Sequence, residues 1–203
     1  MDAGDHCDRA NAVTVFIYVD VPGLQNGCWE PCGITESETG DDPDGGDPID
    51  VGHLVASILG EIGLGNGGES LRINVYGAAP STTDTIRRSV SPLTAIKSHN
   101  GDPTSGHVPR PAISMLCDSV MRAVGHFHNG GRAIFVLICD EFDDAARTIA
   151  EHGFDAHVWC WRMCLPEDYK SIREDHVHIH TIDDYLRFVA TIGDHGSQRV
   201  AST

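Results

Sequence analysis

The stretch that decides the fold is IFVLICDEFDD, residues 134–144, in which an apolar run ends abruptly in acidic residues. The six apolar residues from Ile134 to Cys139 are typical of a strand in the middle of a parallel sheet, where both faces are covered. The acidic residues that follow are Asp140, Glu141, Asp143 and Asp144. Because open α/β sheets bind ligands beyond the carboxyl ends of their strands, this group lies where a ligand site is expected.

Two interpretations of this acidic group remain open. Carboxylates this close raise each other's pKa unless a cation lies among them, and a divalent metal prefers such oxygen ligands. Alternatively, the carboxylates form the exposed first turn of a helix, where the helix dipole favours negative charge.

The rest of the chain alternates strand and helix patterns. Patterns typical of strands occupy residues 13–19, 71–76 and 156–163 in addition to the stretch above. Patterns typical of helices occupy residues 51–62, 81–90, 112–127, 143–152 and 183–192. Proline and glycine predict a turn at residues 22–27 and a loop at residues 96–111. We therefore predict an α/β fold with a Rossmann-like, mostly parallel central sheet and helices on both faces.

Length and composition indicate one globular domain. The 203 residues suffice for a single core, which we assign to residues 13–192, between disordered tails at residues 1–12 and 193–203. Residues 35–50 are rich in Gly, Pro and acid, and they predict a solvated acidic loop inside the domain.

The same composition bears on location. No stretch reaches the ~18 consecutive apolar residues of a membrane span, and the polar, acidic N-terminus resembles neither a signal peptide nor a transit peptide. Seven cysteines, several of them inside apolar runs, argue against a disulfide framework. We therefore expect no membrane span and a reducing intracellular compartment, the cytoplasm or the nucleus.

Acidic residues from distant segments are expected to converge. The carboxyl ends of parallel strands meet at one edge of a sheet, so Asp20, which follows the first strand, is expected near Glu141 and Asp143. Asp118 lies on the helix that leads into the 134–139 strand and is expected to point back into the same cleft.

A zinc site is a further possibility. Cys28 and Cys32 are spaced CxxxC, as are Cys160 and Cys164, and residues 176–180 read HVHIH. Thiolates and imidazoles suit zinc, and on a strand the three histidines of that segment would share one side. Against this, the spacing differs from the usual C-x₂-C knuckle, and Cys160 on its predicted strand would point into the core.

Four segments resemble a known family. They are VFIYVD at residues 15–20, INVYG at 73–77, MLCDSVMRAV at 115–124, and FVLICDEFDDAARTIAEHGFDAHVWCW at 135–161. In order and spacing they resemble the NYN domain, a branch of the PIN-like nuclease superfamily, and within it the plant proteins related to limkain-b1. The resemblance covers residues 13–161.

The resemblance implies a metal-dependent RNA endonuclease that acts in RNA turnover or in the regulation of gene expression. The residues that match the family's acidic site are Asp20, Asp118, Glu141 and Asp143. They are implied both as catalytic residues and as ligands of Mg²⁺ or Mn²⁺. Asp144 is a candidate to orient the attacking water, with a surface helix position as the alternative.

Departures from the family pattern leave an alternative function open. Where the family has Glu and Asn after the first aspartate, this chain has Pro22 and Gly23, and Ala78 and Ala112 replace two further acids. Glu141 is one methylene longer than the family's aspartate. The alternative is a catalytically inactive NYN-fold module that binds RNA or protein.

The expected partner of an active site is single-stranded RNA, whose phosphates need cations. The net charge of −16 means that any basic patch is small. The candidates that concentrate near the cleft are Arg87, Arg88, Lys97, His99 and Arg110. A protein partner for target choice and a peroxisomal location are expectations that rest on the resemblance alone.

Overall fold

A computed structural model of the chain describes residues 13–28, 50–63, 70–90, 94–99, 112–127, 132–165 and 176–183. The strands in these ranges are β1 (Val13–Asp20), β2 (Ser70–Tyr76), β3 (Ala95–His99), β4 (Arg132–Ile138), β5 (Asp155–Cys160) and β6 (Val177–Thr181). The helices are α1 (Val21–Cys28), α2 (Val51–Glu61), α3 (Pro80–Ser89), α4 (Ala112–Phe127) and α5 (Asp143–Glu151). The predicted tails and residues 35–49 of the predicted acidic loop lie outside the described residues.

The strands form one sheet in the order β3-β2-β1-β4-β5-β6, and each neighbouring pair is parallel. The prediction of a Rossmann-like α/β fold with a parallel central sheet is therefore confirmed. The chain moves outward in one direction from β1 to β3 and in the other from β4 to β6. The strand order thus reverses between β1 and β4, which is the position where doubly wound sheets open a crevice for ligands.

Each face of the sheet is covered by its own helices. Val15, Ile17 and Val19 of β1 pack on one face with the buried residues of α1, α2 and α3. Phe16 and Tyr18 face the other side, where α4 and α5 cover the sheet. This alternation follows from the two-residue period of a strand, and it explains why β1 and β4 read as continuous apolar runs.

The predicted turn at residues 22–27 is wrong, because residues 21–28 form helix α1. Pro22 is the second residue of the helix, where a missing N–H breaks no intrahelical bond. Val21 and Leu24 are buried in the core, and the Trp161 indole Nε1 donates to the Leu24 carbonyl oxygen over 3.0 Å. Tertiary packing therefore overrides the weak helix propensity of this glycine-containing segment.

Both edge strands are also additions to the prediction. β3 overlaps the start of the stretch predicted as a loop, and β6 contains His178 and His180, whereas His176 precedes it. Only Ile96 and Lys97 hint at alternation in β3, and the strand is mostly exposed. Edge strands of this kind carry too little apolar pattern to be recognised from sequence.

Smaller differences concern the ends of elements. Helix α3 begins at Pro80 after Ala79, with no side-chain cap, so Ser81 does not cap it. Strand β5 stops at Cys160, before a 3₁₀ turn at Arg162–Cys164. Beyond Asp183, the predicted helix at residues 183–192 lies outside the described residues. No helix in the described ranges is both long and apolar enough to cross a membrane.

Candidate functional site

The carboxyl ends of β1 and β4 form the centre of the candidate site. Val19 pairs with Ile138 at the ends of these neighbouring strands. Asp20 is the last residue of β1, and Asp140 follows β4 by two residues. Both acids therefore lie at the strand-order reversal, where the fold places ligands.

Gly23 allows the two carboxyl groups to approach each other. A Cβ atom built on Gly23 would lie 2.7 Å from Oδ2 of Asp20 and 3.1 Å from Oδ2 of Asp140. The two carboxylates therefore reach the same small space from two strands, over the first turn of α1. A side chain at position 23 would enter that space, so the absence of a Cβ atom is part of the arrangement.

Burial raises the pKa of both carboxyl groups. Asp20 is only 7% exposed, and its pKa is raised to about 6 by burial and by the charge of Glu141, against the opposing effect of a backbone hydrogen bond from Gly23. The pKa of Asp140 is also raised to about 6, by burial first and then by the charges of Asp20 and Glu141, against a hydrogen bond with the Cys164 side chain. The charge of Asp20 thus raises the pKa of Asp140, and the charge of Glu141 raises the pKa of both, as in sites that bind cations or handle protons.

One oxygen of each carboxyl group lacks a hydrogen-bond partner in the described structure. These atoms are Oδ1 of Asp20 and Oδ1 of Asp140, both buried. A buried acceptor left unpaired is costly, and most native structures satisfy such atoms. A proton or a bound cation would satisfy this pair.

The pair fits a hydrated divalent ion better than a fully protein-built cage. Within the described ranges, no group of three or more His, Cys, Asp or Glu side chains is arranged to hold a metal ion. Mg²⁺ commonly uses one or two carboxylates and keeps several waters or substrate oxygens as its other ligands. The two carboxyl groups beside Gly23 meet that smaller requirement.

A second acidic feature adjoins the pair. A cavity of about 380 Å³ is lined by Ile113, Cys117, Asp140, Glu141, Asp143, Asp144 and Cys164. Asp140 belongs both to this cavity and to the pair at Gly23, so the two features are continuous.

The residues of the acidic run take different positions around this cavity. Asp143 and Asp144 form the first turn of α5, and Asp144 is exposed, as expected of a helix start that complements the dipole. Glu141 is exposed, yet its charge reaches both Asp20 and Asp140. The structure thus brings Glu141 and Asp143 to the wall of the cavity together with Asp140.

Asp118 lies elsewhere on its helix. The buried residues of α4 are Leu116, Val120 and Val124, and Ile113 and Cys117 line the acidic cavity. Asp118 is half-buried, and its charge contributes to the raised pKa of the Cys117 thiol, after burial and the charge of Asp144. The structure does not place it on the wall of the cavity.

The predicted cations divide into two groups. Arg87 and Arg88 are exposed on α3, where the Asp84 carboxylate binds Arg87 and the Asp84 carbonyl oxygen accepts from Nε of Arg88 over 3.3 Å. Lys97 and His99 lie on β3 and line a different cavity from the acidic one. Arg110 lies outside the described residues.

Among the described residues, those proposed for zinc form no group of three or more that could hold a metal ion, and Cys32 and the side chain of Cys28 lie outside the described part. The imidazole of His157 stacks on those of His178 and His180, with centroids 4.8 and 5.9 Å away. Stacked rings present their faces to each other, whereas ligand nitrogens point outward in the ring plane. The imidazole Nδ1 of His176 lies 3.0 Å from Oδ1 of Asp155. Cys164 interacts with Asp140 instead of a metal partner set.

The sequence analysis did not place Asp140 among the site residues, although Asp140 lies in the acidic group that follows the 134–139 strand. Asp140 is the first acid after the strand, and the first acid is the nearest to the carboxyl end of a neighbouring strand. It also missed Arg72 of β2 and Arg122 of α4, which line the cavity that contains Lys97.

No protein-family model and no curated protein sequence matches the chain. Among solved structures, a UDP-glucosyltransferase from Polygonum tinctorium is similar over 75% of this chain, at 13% identity and a TM-score of 0.38, and the chain spans 30% of that protein's length. A protein of unknown function from Vibrio parahaemolyticus is similar over 84% of this chain and 94% of its own, at 11% identity and a TM-score of 0.43. Neither similarity bears on function.

Proposed function

We propose that the chain is a divalent-metal-dependent hydrolase of phosphodiester bonds in single-stranded RNA, of the NYN and PIN-like type, acting in RNA turnover or in the regulation of gene expression. The observation that carries the proposal is the pairing of Asp20 and Asp140 over Gly23, with a buried, unpartnered oxygen on each carboxyl group. The substrate class comes from the sequence resemblance.

Asp20 and Asp140 are the residues that would hold Mg²⁺ or Mn²⁺. Both have a pKa of about 6, so above that pH they supply two negative charges to one small space. The chemistry that such an ion supplies when bound is polarisation of the scissile phosphate and activation of a water molecule.

Glu141 and Asp143 have a supporting role in this proposal. They line the cavity that continues from Asp140. Their carboxylates can accept hydrogen bonds from waters around the ion, or bind a second ion if one is present. Asp118 is left out of this proposal, because it is not among the described residues that line the cavity.

The test is Mn²⁺-dependent cleavage of a labelled single-stranded RNA by the full chain and by Asp20→Asn, Asp140→Asn and Asp143→Asn. We expect the first two variants to lose at least about 100-fold in rate, since a metal-held charge contributes several kcal/mol to such reactions. Glu151→Gln, which neutralises an exposed carboxylate at the other end of α5, is the matched control and should keep the activity. Cleavage by the wild type no faster than by Asp140→Asn would reject the proposal.

A second function has its own support. Positions where the family has polar or acidic residues are packed here: Ala78 is buried, and a Cβ atom on Gly77 would lie 2.6 Å from Cγ of Pro22. This packing favours a catalytically inactive module that binds RNA or protein. Calorimetric titration with Mn²⁺ separates the two, because the hydrolase requires micromolar binding that Asp140→Asn removes, and the inactive module requires none.

A further inference from the structure

A second cavity lies away from the acidic site, on the α4 side of the β1-β2-β3 end of the sheet. Its volume is about 560 Å³. Strand register places Phe16 beside Arg72, and Asn74 beside Lys97, on this face. Helix α4 supplies the opposite wall, including Arg122. Three elements that are distant in sequence thus bring three permanent cations to one cavity.

Among the described residues, the cations in this cavity have no acidic counterpart. No Asp or Glu is among the described residues that line it. The Arg72 guanidinium lies 5.7 Å from the centroid of the Phe16 ring, and Arg122 donates to the Ser119 hydroxyl over 3.0 Å. Within the described part of the chain, none of Arg72, Lys97 and Arg122 forms an ion pair.

The clustering has an electrostatic cost that an anion would relieve. The pKa of His99 in this cavity is lowered, first by burial and then by the positive charges of Lys97 and Arg122. The chain carries a net charge of −16, yet no acidic residue in the described ranges lines this cavity. Like charges gathered without a counter-charge are typical of a site whose counter-charge comes from a ligand.

We propose that this cavity binds the phosphate of a nucleotide, free or within a single strand. Arginine pairs well with phosphate oxygens, and lysine adds a point charge. The volume lies within the range of small-molecule sites and exceeds what a bare phosphate fills. Apolar side chains at the cavity wall, including Ile96 and Ala123, leave room for the organic part of the ligand.

The proposal does not depend on the hydrolase. The acidic site and this cavity share no lining residue. Binding is therefore measured in EDTA, where metal-dependent hydrolysis is switched off. A chain that binds phosphate but cleaves nothing would refute the proposed function and leave this inference intact.

The experiment is a calorimetric titration of the full chain with adenosine monophosphate, adenosine, inorganic phosphate and a short single-stranded oligoadenylate, at low salt in EDTA. We expect the monophosphate, the oligoadenylate or both to bind saturably, more tightly than inorganic phosphate and with adenosine inert. Lys97→Gln and Arg122→Gln should each weaken binding about tenfold or more, since a hydrogen bond to a charged group is lost. Which of the two nucleotide probes binds identifies the source of the phosphate.

Two controls keep the result specific. Arg147→Gln removes an exposed charge on α5 and should leave the affinity unchanged, while Arg122→Lys should restore part of it. Thermal unfolding of each variant checks that the fold is intact. Because Lys97 is exposed, Lys97→Gln changes the site without altering the core. Saturable binding by neither nucleotide probe, or equal affinity in Lys97→Gln and Arg147→Gln, would overturn the proposal.

Discussion

The carboxylates of Asp20 and Asp140 meet at Gly23, where no side chain separates them. Asp20 ends the first strand of one half of the sheet, and Asp140 follows the first strand of the other half. Their common approach to Gly23 therefore depends on the parallel pairing of β1 with β4 and on the helix that carries Gly23. The site exists only if the strand order reverses where it does.

Gly23→Ala should separate this pair. Its Cβ atom would lie 2.7 Å from an Asp20 oxygen, so the carboxylates or α1 must shift, at a cost of roughly 1–3 kcal/mol. We expect a lower free energy of unfolding in urea and weaker Mn²⁺ binding. Gly60→Ala is the control, because nothing lies within 4 Å of its Cβ position on α2. It should be neutral or stabilising, and equal behaviour of the two variants would contradict the packing described at Gly23.

The stability of the protein should depend on the protonation of Asp20. The folded pKa of about 6 is above the ordinary value of 3.8, so the folded state binds the proton more tightly than the unfolded chain. Its stabilising effect is full below about pH 4 and is lost as the pH rises through about 6. Relative to Asp20→Asn, the wild type should lose on the order of 2 kcal/mol between pH 4 and pH 7.

Urea unfolding of wild type and Asp20→Asn at matched pH values, in EDTA, measures this difference. Asp140→Asn should show the same direction, because Asp140 is raised to about the same pKa for the same first cause. If the free energies of unfolding of the wild type and of a variant differ by the same amount from pH 4 to pH 7, folding does not raise the pKa of the carboxyl group that the variant replaces.

Cys164 should tune the charge of Asp140. Burial raises the pKa of the Cys164 thiol to about 11, with further contributions from the charge of Asp140 and from the hydrogen bond to it. The thiol is therefore the donor, and this hydrogen bond lowers the pKa of the Asp140 carboxyl. In Cys164→Ala the pKa of Asp140 should rise further, and Cys164→Ser should return it toward the wild type. Carboxyl ¹³C NMR titration of Asp140 measures the shift directly. An unchanged pKa of Asp140 in Cys164→Ala would show that the thiol has no effect on the charge of this carboxyl group.

Trp161 should hold α1 in position. Its indole N–H donates to the Leu24 carbonyl oxygen over 3.0 Å inside the core. Trp161→Phe leaves that carbonyl without its partner and removes volume, for a loss of about 1–3 kcal/mol in the free energy of unfolding. Because Leu24 adjoins Gly23, the same variant should weaken Mn²⁺ binding at a temperature where it remains folded. Full Mn²⁺ affinity in the folded variant would mean that α1 keeps its place without this bond.

The sequence analysis predicts the centre of the fold better than its edges, for a physical reason. β1 and β4 are covered on both faces, so burial selects continuous apolar runs that identify them. β3 and β6 have one neighbour each and expose polar residues, so their sequences resemble loops. Helix α1 contains Pro22 and two glycines, and only its packing in the core makes it helical.

The site was predictable to the level of the acidic run but not to the residue. The path of the chain after β4 decides whether Asp140 or Asp143 lies beside Asp20. This path cannot be predicted from the spacing of the acidic residues in the sequence. For Asp118 the deciding quantity is the rotation of α4, which its buried stripe fixes. Arg72 and Arg122 become neighbours of Lys97 only once strand register and the position of α4 are known.

The central claim is that Asp20 and Asp140 together bind a divalent ion, and anomalous diffraction from a crystal soaked in Mn²⁺ tests it most directly. The account predicts one strong anomalous peak within coordination distance of a carboxyl oxygen of each residue, absent from crystals of Asp140→Asn. A peak bound only by Glu141, Asp143 or Asp144 at the cavity rim, or no peak near Asp20, would contradict it.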